Sequence, residues 1–221
     1  MRINPIKLED AVFVAYGDSG WANAPNNKSQ GGYVIVLTNK AVLHQPQEAS
    51  LLQWKSYRHQ RVLRSTLAAE ACSLDRAQDS ANFLACVFTE MTDASYRAVQ
   101  GVPGYEVIPI TDARSLWDSV HRSSTVFSEK RVEIDVAGLR QTCRNLRWVP
   151  TEKQWADAMT KMSSKLRDTF RTWMQNPVVT LVESGSAEDI DSLAAPNVSW
   201  RGDQPKESFT GDICASGVGL V

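Results

Sequence analysis

Val12-Phe13-Val14-Ala15-Tyr16-Gly17-Asp18-Ser19-Gly20-Trp21 is the stretch that decides the fold: five apolar residues in a row run into a carboxylate. A continuous apolar run without alternation suits a central strand covered on both faces. Gly17 and Gly20 bracket Asp18 and permit a tight turn, so Asp18 is expected at a strand end. An Asp that opens a turn accounts for Asp18 equally well when the segment is read alone.

Working outward, residues 21–32 are rich in turn formers and lead into a second strand, Tyr33 to Thr38. A third strand is read at Ala41 to His44 or at Ser50 to Trp54. Lys55, Arg58, Arg61 and Arg64 then place four permanent positive charges within ten residues, either a solvated loop or an edge that contacts phosphates. From Thr66, apolar residues at Leu67, Ala71, Leu74, Ala77, Ala81, Leu84, Ala85, Phe88 and Met91 recur at threes and fours, which predicts a long amphipathic helix. Glu70 lies beside that stripe, where a carboxylate is costly unless compensated; service to the helix dipole is the alternative.

Tyr105 to Ile110 reads as a short strand with Pro109 arguing for an edge or a bulge, and Asp112 follows it as a helix begins. A plain helix cap explains Asp112 on local grounds. A helix over about 128–143 places Val132, Val136, Leu139 and Cys143 on one face, and Arg147 to Val149 is a last short strand. Thr151 and Gln154 sit at capping-box spacing, which predicts a helix with Asp157 one turn inside it. Leu166, Phe170 and Trp173 mark a final helix.

Composition bounds the class. The chain has 221 residues, enough for one domain with a sizeable core. It has no apolar run of transmembrane length and no signal-peptide pattern at its N-terminus, so an intracellular protein, cytoplasmic or nuclear, is expected. Cys72, Cys86, Cys143 and Cys214 have no paired spacing, and His44, His59 and His121 form no cluster with them, so neither a zinc site nor a disulfide framework is indicated. The net charge of -1 hides an asymmetry: residues 1–182 hold 22 basic against 18 acidic residues, and residues 183–221 hold 2 against 7. A mildly basic body is compatible with a polyanionic partner. From Ser184 onward Ser, Gly and Pro make up 13 of 38 residues without apolar periodicity, which reads as a disordered acidic tail.

Strands and helices in this order suit a mixed α/β sheet with helices on its faces. If the strands leading to Asp18 and Asp112 are parallel neighbours, both acids emerge at one sheet edge. Helices carrying Glu70 and Asp157, packed on opposite faces, would bring two more. Four clustered carboxylates repel, and one or more takes up a proton unless cations are present. Two Mg²⁺ ions resolve that conflict, being hard cations that take oxygen ligands, and paired metals suit displacement at a phosphodiester.

The segments Tyr16 to Ala22, Gly32 to Val34, Ser65 to Ala71, Ile110 to Leu116 and Trp148 to Lys161 resemble, in order and spacing, the ribonuclease H domain of copia-type retrotransposon polyproteins. The resemblance covers about residues 12–175, and the Trp148 to Lys161 segment is its most specific part. It implies a ribonuclease H-like fold with about five strands and helices on both faces. It also implies a catalytic and metal-binding quartet of Asp18, Glu70, Asp112 and Asp157 holding two Mg²⁺ ions, with Mn²⁺ a substitute. Asp18 would touch both ions, Glu70 and Asp112 would complete the one on the leaving-group side, and Asp157 would help hold the other. Cleavage of the RNA strand of RNA/DNA hybrids is the implied reaction, with Lys55, Arg58, Arg61 and Arg64 read as nucleic-acid-binding and a reverse transcriptase domain as a partner supplied elsewhere.

Departures accompany the matches. Gly20 stands where the family commonly has a second Asp, Ala68 where a Glu is often found, and Val132-Glu133 in place of a basic pair. The segment from Ala41 to His59 is longer than usual, and no reverse transcriptase precedes residue 12, so an isolated fragment or a stand-alone gene is expected. The expected division is an N-terminal extension over 1–11, a ribonuclease H-like domain over 12–175 and a tail over 176–221, largely disordered from 184. Two other functions compete with hydrolysis of hybrids: an inactive remnant that binds nucleic acid or protein, and a related metal nuclease or strand-transfer domain that acts on DNA.

Overall fold

The computed structural model describes residues 3–122 and 125–181. The central strand β1 (Ala11–Ala24) pairs antiparallel with β2 (Lys28–Asn39), which pairs antiparallel with β3 (Gln47–Arg58). On its other side β1 pairs parallel with β4 (Glu106–Thr111), and β4 pairs parallel with β5 (Arg147–Trp148). A two-residue strand, β6 (Val178–Val179), closes the far edge against the start of β3, giving a six-stranded sheet in the order β5-β4-β1-β2-β3-β6. Helices α1 (Thr66–Thr92), α2 (Arg114–His121) and α3 (Lys130–Thr142) share one core. The short α4 (Asp157–Thr160) and α5 (Ser164–Trp173) belong to the opposite face. This is the mixed α/β architecture with helices on both faces expected from the sequence, with six strands where about five were expected.

The apolar run of β1 is unbroken because both of its faces are covered. Phe13 and Ala15, with Tyr33 and Ile35 of β2, pack on Ala77, Ala81 and Ala85 of α1. Val12, Val14 and Tyr16, with Ile108 and Ile110 of β4, pack on Ala156, Phe170 and Trp173. Each such large apolar side chain, fully buried, contributes about 1.5–3 kcal/mol. Asp18 continues the parity of Val12, Val14 and Tyr16, which turns it toward α4.

β1 does not end at Asp18; it continues to Ala24. The glycines serve close approach rather than a turn. A Cβ on Gly17 would lie 2.9 Å from Leu74 Cα, and one on Gly32, opposite Asp18 in β2, would lie 2.4 Å from Met159 Cβ. Backbone of α1 and side chains of α4 therefore press on the sheet at the two positions that flank the acid.

The third strand includes Ser50 to Trp54, while Ala41 to His44 lies in a 3-10 turn that the Asn39 side chain caps. Pro109 sits where the outer edge of β4 has no partner, since β5 reaches only Ile110 and Thr111. The helix expected to open at Thr151 does not form as one element: a 3-10 turn over Thr151–Lys153 precedes α4, and Asp157 is the first residue of α4. Gln154, the other half of the expected capping box, is instead drawn to β1. Val132, Val136, Leu139 and Cys143 are buried together as expected. Met91, at the end of the α1 stripe, is 77% exposed, because the buried face there runs through Ala85 and Thr89 instead.

Packing continues past residue 175. Val179 and Leu181 belong to the core on the α5 side, and the Leu181 N–H donates to the Val42 carbonyl. At the other end Asn4 is buried and hydrogen-bonded to Ala49 and Ser50. The acidic tail expected from Ser184 lies outside the described residues. No helix among the described residues is long and apolar enough to cross a membrane.

Candidate functional site

Three of the four acids singled out in the sequence converge: one ligand atom each from Asp18, Glu70 and Asp112 lies within 4.8 Å of the others. Each comes from a different element. Asp18 is inside β1, Glu70 is in the second turn of α1, and Asp112 follows β4, the parallel neighbour of β1. Asp18 and Glu70 are 3% and 7% exposed. The fourth acid, Asp157, is 4% exposed and close enough for its charge to act on Asp18 and to be acted on by Asp112.

Local structure fixes each carboxylate. The Ser65 side chain caps α1 by accepting from the Ala68 N–H, and Gly17 lets the helix approach closely enough for Glu70 to accept a hydrogen bond from the Ser19 backbone. Asp112 does not cap α2: Ala113 occupies that position, and the Ala113 N–H goes to Thr111 Oγ1. The Asp112 carbonyl accepts from the Trp148 indole at 2.9 Å, and the Val149 N–H donates to the Thr111 carbonyl, so β5 holds this corner. The Thr160 hydroxyl donates to Asp18 Oδ2.

The electrostatics are those of an overcharged pocket. Burial, with the charges of Asp157 and Asp112 adding, pushes Asp18 up to about 6 against the hydrogen bond from Thr160. Burial first and the charges of Asp18 and Asp112 second push Glu70 up to about 9. Burial also raises Asp157, although Lys161 opposes it. Sequence reasoning misses Lys161 as a site residue, yet its Nζ donates to Asp157 Oδ2 at 2.5 Å and its charge is felt at Asp18 and Glu70. Burial lowers the Lys161 ammonium, but the Asp157 hydrogen bond and the surrounding carboxylates outweigh it and leave it above its ordinary value. The i, i+4 spacing of Asp157 and Lys161 is the signal that could have found it.

The donor set fits a hard divalent cation. It is all oxygen, it carries more negative charge than one Lys balances, and Glu70 Oε2 and Asp157 Oδ1 are buried without a hydrogen-bond partner. Asp18, Glu70 and Asp112 could hold such an ion together.

The four basic residues are not brought together as one patch. Lys55 pairs opposite Tyr33 and Arg58 opposite Gln30, at strand positions of opposite parity, so the two point to different faces of β3. Arg61 is engaged: its Nη2 lies 2.8 Å from Asp135 Oδ2 and also contacts Cys72 Sγ. Arg61 and Arg64 line a 240 Å³ cavity with Glu129 and Arg131, beside the start of α1.

No protein-family model matches the sequence, and no curated protein matches it. Among solved structures it is similar to the native prototype foamy virus protease-reverse transcriptase (14% identity over 77% of this chain, TM-score 0.28). This chain spans 21% of that polypeptide. It is also similar to the RNase H domain of the same virus in solution (13% identity, 75% of this chain and 91% of that one, TM-score 0.34). A third is the foamy viral protease-reverse transcriptase in complex with dsDNA (16% identity, 72% of this chain and 96% of that one, TM-score 0.33).

Proposed function

We propose that this chain is a metal-dependent endoribonuclease that hydrolyses the RNA strand of RNA/DNA hybrids and derives from a copia-type retrotransposon. The observation that carries this reading is the convergence of Asp18, Glu70 and Asp112 from three elements onto one point, with Asp157 beside them. A fold gains no stability from crowding buried carboxylates, so the cluster calls for a role. Asp18, Glu70 and Asp112 would hold one Mg²⁺ and Asp18 with Asp157 a second, as the motif resemblance implies. Such ions supply Lewis acidity at the phosphate and a deprotonated water at neutral pH.

The residues of the chain do the rest. Trp148 and Thr160 orient Asp112 and Asp18 through hydrogen bonds, and Lys161 balances Asp157 in the ion-free protein. Glu70 would face the 2'-hydroxyl that distinguishes an RNA strand. Arg58 and Arg64 are exposed and would contact backbone phosphates, with a reverse transcriptase domain supplying further binding surface.

A labelled RNA/DNA hybrid incubated with Mg²⁺, beside the Asp18→Asn and Asp112→Asn variants, tests the proposal. Cleavage of the RNA strand by the parent protein and its loss in both variants is the expected outcome. Equal inertness of all three would leave a binding remnant, and cleavage of duplex DNA in the same assay would redirect the reading to a DNA-acting relative.

A further inference from the structure

Asp157 sits on the weakest element near the site. α4 is a single turn of four residues, far below the length at which a helix sustains itself. Ala156, Ala158 and Met159 pack it on the core of the α5 side, the Thr160 hydroxyl donates to Asp18 Oδ2, and further polar ties add to these. Asn23 Nδ2 donates to the Thr160 carbonyl at 3.1 Å, and Ser56 Oγ donates to the Met159 carbonyl at 2.5 Å. Both anchors grip the C-terminal end of α4.

At the N-terminal end, beside the buried Ala156, the side chain that reaches β1 is that of Gln154. Gln154 is 4% exposed. Its Nε2 donates to the Gly17 carbonyl at 3.0 Å, and its Oε1 accepts from the Ala156 N–H at 3.3 Å. The orientation of the amide is forced, because a carbonyl can only accept and a backbone N–H can only donate. Gly17 immediately precedes Asp18, and Ala156 immediately precedes Asp157. A single planar amide therefore bridges the residues just before two acids that are 139 positions apart in sequence.

We propose that Gln154 is a positioning residue that sets the placement of Asp157 relative to Asp18, and with it the affinity of the second divalent cation. This rests on the metal-dependent reading above. The amide is short, buried and bonded at both ends, so it fixes the separation of the two backbones without touching an ion or a substrate. Partners of this kind, which orient a ligand rather than bind the metal, change metal affinity by about 10–100-fold when removed.

The test is Mn²⁺ binding, followed by the electron paramagnetic resonance signal of free Mn²⁺ and by calorimetry on the full chain. In Gln154→Met, which keeps the length of the side chain and loses both hydrogen bonds, the weaker of the two binding events is expected to fall about ten-fold or more while the stronger one persists. Asn23→Ala combined with Ser56→Ala, both exposed positions, releases the other end of α4 and is expected to shift the same event in the same direction. Val42→Ala, a buried substitution in the same core, lowers thermal stability without touching these contacts and is expected to leave Mn²⁺ binding unchanged. Parent-like binding in Gln154→Met, or equal weakening in Val42→Ala, overturns the proposal. Should Gln154→Met not fold, unchanged affinity in the Asn23/Ser56 variant overturns it instead. A parent protein that binds no Mn²⁺ defeats the metal-dependent reading itself, a result distinct from the other two.

Discussion

Replacing Glu70 by Gln should stabilise the metal-free protein, and should do so only above the range where carboxylates ordinarily titrate. Burial and the charges of Asp18 and Asp112 place Glu70 at about 9, against an ordinary value of 4.5. A carboxyl raised in the folded state binds its proton more tightly there than in the unfolded chain. Its contribution is therefore fully present below 4.5 and is lost progressively as pH climbs toward 9. At about 1.4 kcal/mol per pH unit, the loss at pH 8 has an upper bound of about 5 kcal/mol. An amide in place of the Glu70 carboxyl has the same shape and no proton to acquire, so Glu70→Gln should recover part of that, about 2–5 kcal/mol at pH 8, and almost nothing at pH 4. For a chain of this size, each kcal/mol moves Tm by about 2–4 °C. Thermal unfolding of both proteins in EDTA from pH 4 to 9 measures the difference, which should open as pH rises. Saturating Mn²⁺ should then raise the Tm of the parent protein at pH 8 more than that of the variant. Melting curves that stay parallel across the pH range would refute the claim that burial and crowding strain this carboxylate.

Other perturbations probe the neighbouring contacts. Gly32→Ala places a Cβ 2.4 Å from Met159 Cβ, so it should cost about 1–3 kcal/mol in denaturant unfolding and weaken Mn²⁺ binding by displacing α4. Gly17→Ala, 2.9 Å from the α1 backbone, should destabilise at least as much, because a helix backbone cannot swing aside as a side chain can. Lys161→Gln removes the cation paired with Asp157; the midpoint of a Mn²⁺ titration should fall to lower concentration, since the ion no longer competes with an ammonium. Arg58→Ala with Arg64→Ala should weaken hybrid binding and flatten its salt dependence, by about 0.9 in the log-log slope for each phosphate that is no longer neutralised, using the value for duplex DNA. Arg61→Ala should act differently, through its ion pair with Asp135, showing up as a stability loss of about 1 kcal/mol or less.

Much of the architecture is legible in the sequence because burial leaves a periodic trace. The run from Val12 to Tyr16 announces a strand covered on both faces, and the spacings in α1 and α3 announce their buried stripes. What escapes has no periodic trace to leave. The limits of β3 are hidden because its second half, from Trp54 to Arg58, is largely exposed and offers little alternation. β6 is two residues held by one pairing. The capping pattern of Thr151 and Gln154 gives way to a tertiary hydrogen bond to Gly17, which local spacing cannot encode. At the site, Asp112 is visible as a strand-end carboxylate and Glu70 as one near a helix start, whereas Asp18 lies inside β1 rather than at its end and Thr160 emerges only when α4 is seen against β1. The basic residues are visible as charge density, but β3 splits Lys55 from Arg58 across its two faces and Asp135 takes up Arg61.

The parallel pairing of β1 with β4 joins Val12 to Glu106 and Tyr16 to Ile110, so almost half the chain must be threaded between the first acid and the third. Loops of that length close slowly, and contacts of such long range form late. A nascent chain can thus collapse its β1-β2-β3 meander and dock α1, which brings Glu70 to Asp18, before Asp112 arrives. The electrostatic penalty grows at the final consolidation, when β4 zips alongside and adds the charge of Asp112 to the pocket. Divalent ions or mild acid should accordingly speed the last kinetic phase of refolding more than the early ones.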